Sequence, residues 1–268
     1  MASEFLDPHL ALRWTAGLAA GVVALTCLEV LASIRDYEKG GVFDCALNPF
    51  SHRLKRWLRP TVGLVRALAV IRLALAAVLC LPGASLLVLS LCAGGTVILG
   101  VLQSRLASGD TEFGEQMVKV ILGGAALGWI GGSEITVRWA VWFIAAQLSL
   151  AYFAAGVFKL ISSSWRSGEA LWAVLSMNPW KHAAAGRWLR ERPQASSFLS
   201  WGTMLWEVTF PVALLAPPWA MATWLAIGAA FHIGCAIFMG LNSYLWSFVA
   251  AYPAVAFVNS WLRSFVAG

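Results

Sequence analysis

Residues 137 to 161 read VRWAVWFIAAQLSLAYFAAGVFKLI, an apolar run whose strongly polar side chains are only Arg138, Gln147 and Lys159. A bilayer core of about 30 Å is crossed by about 20 helical residues, since each adds about 1.5 Å. Hydrocarbon offers the backbone no hydrogen-bond partners, so such a segment must be helical. The same measure along the chain gives eight candidate spans: Leu10 to Ile34, Thr61 to Leu81, Ala84 to Leu102, Gln116 to Gly131, Val137 to Ile161, Ser197 to Leu215, Trp219 to Met239 and Ser243 to Leu262. The fourth is short, carries Lys119 and holds Gly123, Gly124 and Gly128, a composition that also suits a re-entrant segment buried in protein. The expected fold is all-α: a polytopic transmembrane bundle of about eight spans, forming one domain over residues 1–268.

Composition agrees. The 268 residues are 60% hydrophobic and 12% charged, with mean hydropathy +0.74, more apolar surface than a soluble fold of this length hides. There are 15 Trp, a residue whose apolar body and single N–H suit the membrane–water interface. Trp57, Trp139, Trp142, Trp165, Trp180, Trp188, Trp219 and Trp261 flank apolar runs and read as belt residues. The N-terminus is acidic where a secretory leader would be basic, so the first span is expected to be retained.

The net charge of +6 does not point to nucleic acid, because its cations gather in connections between apolar runs. Residues 33 to 60 hold six Lys or Arg and residues 162 to 195 hold five. By the positive-inside rule both loops are cytoplasmic, and eight spans then put both termini outside. Residues 48–59 (NPFSHRLKRWLR) pattern as an interfacial amphipathic helix. A second such segment runs from Trp165 to Arg192, broken near Asn178, Pro179 and Pro193.

The five cysteines (Cys27, Cys45, Cys80, Cys92, Cys235) form no CxxC pair, and four lie in apolar runs as small fillers; neither a zinc site nor a redox pair is indicated. Cys45 alone lies in a polar connection.

Ionisable groups inside spans are costly and so are functional candidates. They are Glu29, Arg66, Arg72, Lys119, Lys159, Glu207 and His232. Arg66 is close enough to a span end to snorkel, Arg72 could pair with Glu29, and Lys119 begins a span; structural roles suit all three cations. Lys159 follows Ala154, Ala155 and Gly156, small residues that permit close helix contact. Glu207 lies in WGTMLWEVTFP and His232 in GAAFHIGCAIF. An amine, a carboxylate and an imidazole on three spans could converge as a base with its proton relay, or could pair to fix helix register.

The stretch AYFAAGVFKLISSSWRSGEAL, residues 151 to 171, resembles the signature of the vitamin K-dependent γ-carboxylase-like (HTTM) membrane family, with Tyr152, Phe153, Gly156, Lys159, Trp165 and Gly168 in order. Three further blocks agree in order: GDTEFGEQMVKVIL (109 to 122), WGTMLWEVTFPVALL (201 to 215) and FHIGCAIFMGLNSYLWSFVAAYP (231 to 253). The chain is most similar to small bacterial members, such as the sporulation-delaying protein B family, which takes part in maturing a secreted toxic peptide. The resemblance implies a multi-pass protein of the bacterial inner membrane, with Lys159 as the base that activates a reduced quinone, Glu207 and His232 as its companions, and Tyr152 and Trp165 toward the cofactor. It also implies a small secreted peptide substrate and a partner subunit. The chain departs from the carboxylases in carrying Phe158 where they have another lysine, and in lacking their large extra-membrane region.

Two readings stand at this point. One is a membrane enzyme, or enzyme subunit, that modifies a small peptide or lipid-like substrate in a bundle cavity. The other is a non-enzymatic scaffold, transport or immunity module for a peptide. A channel is disfavoured, because no span carries a row of polar or like-charged residues.

Overall fold

The computed structural model describes residues 7–41, 43, 61–106, 113–177 and 183–266. The amphipathic segment at 48–59, Cys45, Trp57, Asn178, Pro179, Trp180 and the start of the 109–122 block lie outside these. Among the described residues the regular structure is all helix, and six helical stretches are long and apolar enough to cross a membrane. They are Pro8–Ala32, Val62–Leu79, Leu86–Arg105, Glu134–Ile161, Pro218–Met239 and Asn242–Phe265.

The stretches expected as fourth and sixth spans stand apart from these six. Phe113–Ile130 carries Glu115 and Lys119 in its first two turns. Pro193–Thr209 is 17 residues long and passes into a 3-10 helix, Phe210–Leu214. Pro211 explains the change, since it has no N–H to give to an α-helical ladder. The last expected span is likewise two helices, Asn242–Val249 and Tyr252–Val266, parting just before Pro253.

The chain forms two compact units, residues 8–141 and residues 142 onward. The first comprises α1 (Pro8–Ala32), α2 (Val62–Leu79), α3 (Leu86–Leu106), α4 (Phe113–Ile130) and the beginning of α5 (Glu134–Ile161). α1 packs on α2 and α4, and α3 packs on α2 and α4. Alanine recurs on the buried faces, at Ala16, Ala19, Ala20, Ala69, Ala76, Ala93 and Ala125. Between helices in lipid there is no hydrophobic drive, and small residues allow the close backbone approach that gives dispersion contact. Larger side chains such as Leu91, Ile98 and Leu127 are exposed on the outside, as a lipid-facing surface requires.

Inside this unit lies a charged cluster. Arg72, 2% exposed, donates from Nη1 to Gln103 Oε1 at 2.9 Å and from Nη2 to Glu115 Oε1 at 2.8 Å. Lys119 meets the other oxygen of Glu115 at 3.1 Å. Gly100 makes room for the guanidinium, since a Cβ there would lie 3.0 Å from Nη2. The partner of Arg72 is thus Glu115 rather than the Glu29 suggested by the sequence. Arg66 is exposed, as snorkelling requires.

The second unit comprises the rest of α5, α6 (Ser163–Arg166), α7 (Glu169–Met177), α8 (Ala183–Arg190), α9 (Pro193–Thr209), α10 (Pro218–Met239), α11 (Asn242–Val249) and α12 (Tyr252–Val266). Its irregular stretch after α9 is held from α12: Asn259 Nδ2 donates to the carbonyls of Ala213 (2.9 Å) and Ala216 (2.8 Å). Trp142 and Trp261, expected in the belt, pack edge to face on one another at 5.2 Å, while Trp139 and Trp219 are exposed.

Removing one partner of a buried pair strands the other charge, at about 3–5 kcal/mol. Glu115→Ala should therefore lower the thermal midpoint of the purified protein strongly, and the double change Arg72→Met/Glu115→Leu should recover part of the loss. A midpoint unchanged in Glu115→Ala would show that the cluster does not hold the unit together.

Candidate functional site

The C-terminal half of α5 sets the site. Tyr152, Gly156 and Lys159 fall at spacings that repeat on one helical face, and seven residues separate Tyr152 from Lys159 by about 10 Å along the axis. At Gly156 α9 comes very close: a Cβ there would lie 2.8 Å from Val208 N and 2.9 Å from Glu207 Cβ. This contact puts Glu207 opposite Lys159, one turn further on. Lys159 Nζ donates to both carboxylate oxygens, at 2.5 and 2.6 Å, and Glu207 is 2% exposed.

Trp165 covers the ammonium, its ring centroid 5.3 Å from Nζ. The segment bearing it is fastened to α9 by three hydrogen bonds. Ser200 Oγ donates to Trp165 O at 2.5 Å, Ser196 Oγ to Gly168 O at 2.6 Å and Trp201 Nε1 to Arg166 O at 3.1 Å. Gly168 has φ +82° and meets the backbone of Ser196 and Ser197, so a side chain there would be both strained and obstructed. Trp165, one of the expected belt residues, therefore has a specific place over Lys159.

A second polar pair lies deeper. Tyr152 Oη and His232 Nε2 are 2.8 Å apart, and both residues are buried. The Tyr152 ring sits among Trp206 (4.8 Å between centroids), Phe210 (4.3 Å) and Phe248 (5.2 Å). His232 packs on Phe248 at 4.4 Å. Its Nδ1 is buried and has no hydrogen-bond partner. α10 is brought close at Gly228, where a Cβ would lie 2.9 Å from the Trp206 ring, and Trp206 Nε1 donates to Trp224 O at 3.2 Å. Neighbouring residues of α9 thus face two ways, Trp206 toward α10 and Glu207 toward α5.

Both pairs border one cavity of about 610 Å³, lined among others by Tyr152, Lys159, Trp165, Glu207, His232 and Phe248. That volume lies within the usual range for small-molecule sites. All five residues singled out from the sequence as catalytic or cofactor-binding (Lys159, Glu207, His232, Tyr152, Trp165) border it. Phe248, Tyr244 and Cys235, none of them a site candidate from the sequence, line it too. Cys235 had been read as an apolar filler, and its i+3 position from His232 was the available signal. Phe158 is 70% exposed and takes no part in the lining. Lys119 and Arg72 belong to the cluster in the other unit, and Glu29 is exposed. Among the described residues no group of three His, Cys, Asp or Glu is placed to hold a metal.

Compared with known proteins, the chain matches no family model, no curated protein and no solved structure.

The close α5–α9 contact makes Gly156 a sensitive position, because the added methyl would strike backbone rather than the end of a flexible side chain. Gly156→Ala is expected to cost about 1–3 kcal/mol through overpacking, read as a lower thermal midpoint. Ala154→Gly, a control on the same helix, should show no such clash. Equal midpoints for Gly156→Ala and wild type would mean that α9 does not approach α5 here.

Proposed function

We propose that the protein is a multi-pass membrane enzyme or enzyme subunit of the γ-carboxylase-like (HTTM) type, acting on a small peptide or lipid-like substrate with Lys159 as base. The observation that carries this reading is the Lys159–Glu207 pair at the wall of an apolar cavity, with a second polar pair deeper in the same space.

Each residue then has a task. Lys159 is held as an ammonium against Glu207. For its nitrogen to accept a substrate proton, one Nζ–H must first leave, and Glu207, in contact through both oxygens, is the group placed to receive it. The neutral amine can then take a proton from a substrate group in the cavity. The ring of Trp165, 5.3 Å from Nζ, favours the cationic form that results. Tyr152 orients His232 by pairing with Nε2.

A reduced quinone suits this lining, since Tyr152 and Trp165 bring aromatic rings to the cavity wall and Lys159 and Glu207 bring polar atoms. When bound, it would supply a phenolic hydroxyl for a base to deprotonate. The departure at Phe158 costs the site nothing on this reading, because that side chain points away from the cavity.

Lys159→Ala should abolish any mass change the protein causes in a co-produced secreted peptide or in the cell's lipids. Because it strands the buried Glu207 it should also lower the thermal midpoint, and Lys159→Met/Glu207→Gln, which leaves no lone charge, should recover part of the midpoint and none of the product. If the products keep forming in either variant, the proposed chemistry is wrong. A mass spectrum identical with and without the wild-type protein would favour the non-enzymatic reading, in which the pair only fixes helix register.

The same reading takes the cell membrane as the location, eight spans, and basic loops 33–60 and 162–195 on the cytoplasmic side. α4 decides the matter, since leaving it out of the membrane puts the two loops on opposite faces. In a cysteine-free background, Ser133→Cys should react with an impermeant maleimide added outside intact cells, and Ser167→Cys should not. Labelling of Ser167→Cys from outside would sink the eight-span topology.

A further inference from the structure

The cavity beside Lys159 has an outer wall that the proposed chemistry does not use. It is formed by α7 and α8, through Leu171, Val174 and Leu175 of the first and Ala185, Trp188 and Leu189 of the second. These helices touch closely: a Cβ at Gly186 would lie 2.8 Å from Ser176 N and 2.9 Å from Trp172 O. α8 is strongly two-faced. Leu189 is buried, whereas Arg187 and Arg190 in its last turn and Arg192 just beyond are exposed.

The guanidinium groups lie against the indoles of this wall. Arg190 is 5.3 Å from the Trp172 ring and Arg192 is 4.7 Å from the ring of Trp188, which itself lines the cavity. The acidic residues here are Glu169 and Glu191, both exposed. Glu191 meets Arg192 only at 3.9 Å, and an exposed pair at that distance is weak. Arginine and tryptophan side by side on a short amphipathic helix are the composition of a membrane-surface element that attracts anionic lipid.

Inside the cavity the situation is reversed. Lys159 and Glu207 cancel one another, and the lining is otherwise mostly apolar and aromatic. A peptide would bring many N–H and C=O groups, each needing a partner that such a lining lacks. At about 30 Å³ for a water-sized group, 610 Å³ holds roughly twenty. That suits one long acyl chain and is too small for two.

We propose that the cavity takes a single-chain anionic lipid, with its chain inside and its charged head at Arg187, Arg190 and Arg192. The inference rests on the proposed function in treating this cavity as the substrate site. Binding can be measured without turnover, so the two can fail separately.

The test uses full-length protein in zwitterionic phosphatidylcholine nanodiscs, with empty nanodiscs subtracted. Radiolabelled oleate and oleyl alcohol share a chain and differ in head charge. With about fivefold per arginine at a membrane surface, oleate should bind at least tenfold more tightly than oleyl alcohol. Arg187→Gln/Arg192→Gln should bring oleate down toward the alcohol while leaving alcohol binding unchanged, which also shows that the variant is folded. Ala155→Phe, which fills the cavity, should remove binding of both. Equal affinities for oleate and oleyl alcohol in the wild type, or full oleate binding by Ala155→Phe, would overturn the proposal. Hexanoate, with the same head and a short chain, should not compete; if it does, the arginines bind free anions and the cavity plays no part.

Discussion

Lys159 and Glu207 can form a two-pronged ion pair only if α5 and α9 approach to within backbone contact, and that approach rests on the missing side chain at Gly156. Desolvating two charges is costly unless each finds its partner in good geometry. The pair therefore constrains what surrounds it. Ser196 and Ser200 of α9 fasten the segment that carries Trp165, and the ring of Trp165 then lies over the ammonium. On the other side of α9, Trp206 packs on Gly228 and so fixes the helix bearing His232. One close contact thus determines the positions of groups that are far apart in sequence.

The other unit meets the same cost in a different manner. Arg72 is surrounded by Gln103, Glu115 and Gly100, and Glu115 is shared with Lys119. Every carboxylate oxygen there has a cation, as a structural cluster requires. In the second unit the charges are equally well paired, yet they border a cavity. Ion pairing by itself does not separate the two cases; the space next to it does.

Much of this was legible in the sequence, and the rest was hidden for identifiable reasons. Apolar run length located the helices at Pro8–Ala32, Val62–Leu79, Glu134–Ile161 and Pro218–Met239 to within a few residues, because lipid leaves few alternatives to helix. Pro211 and Pro253 were visible breaks, but hydropathy averages across them, and the helices they interrupt were read as continuous. The choice of Glu115 over Glu29 for Arg72 depends on the relative register of three helices, which no local pattern encodes. The pairing of Tyr152 with His232 spans 80 residues and could be suspected only from the cost of a histidine in mid-helix. Asn259 gave no signal at all: its two acceptors are carbonyls freed by the irregular backbone after α9.

A register pin would explain the ion pair, but it leaves two adjacent features without a reason. It needs no cavity, and a closely packed interior would serve it better. It needs no Tyr152–His232 pair about 10 Å further down the same face of α5. On the proposed function the cavity and the ion pair both have a reason: the space would take the ligand's apolar body, and the ion pair would keep Lys159 in place until a proton has to move.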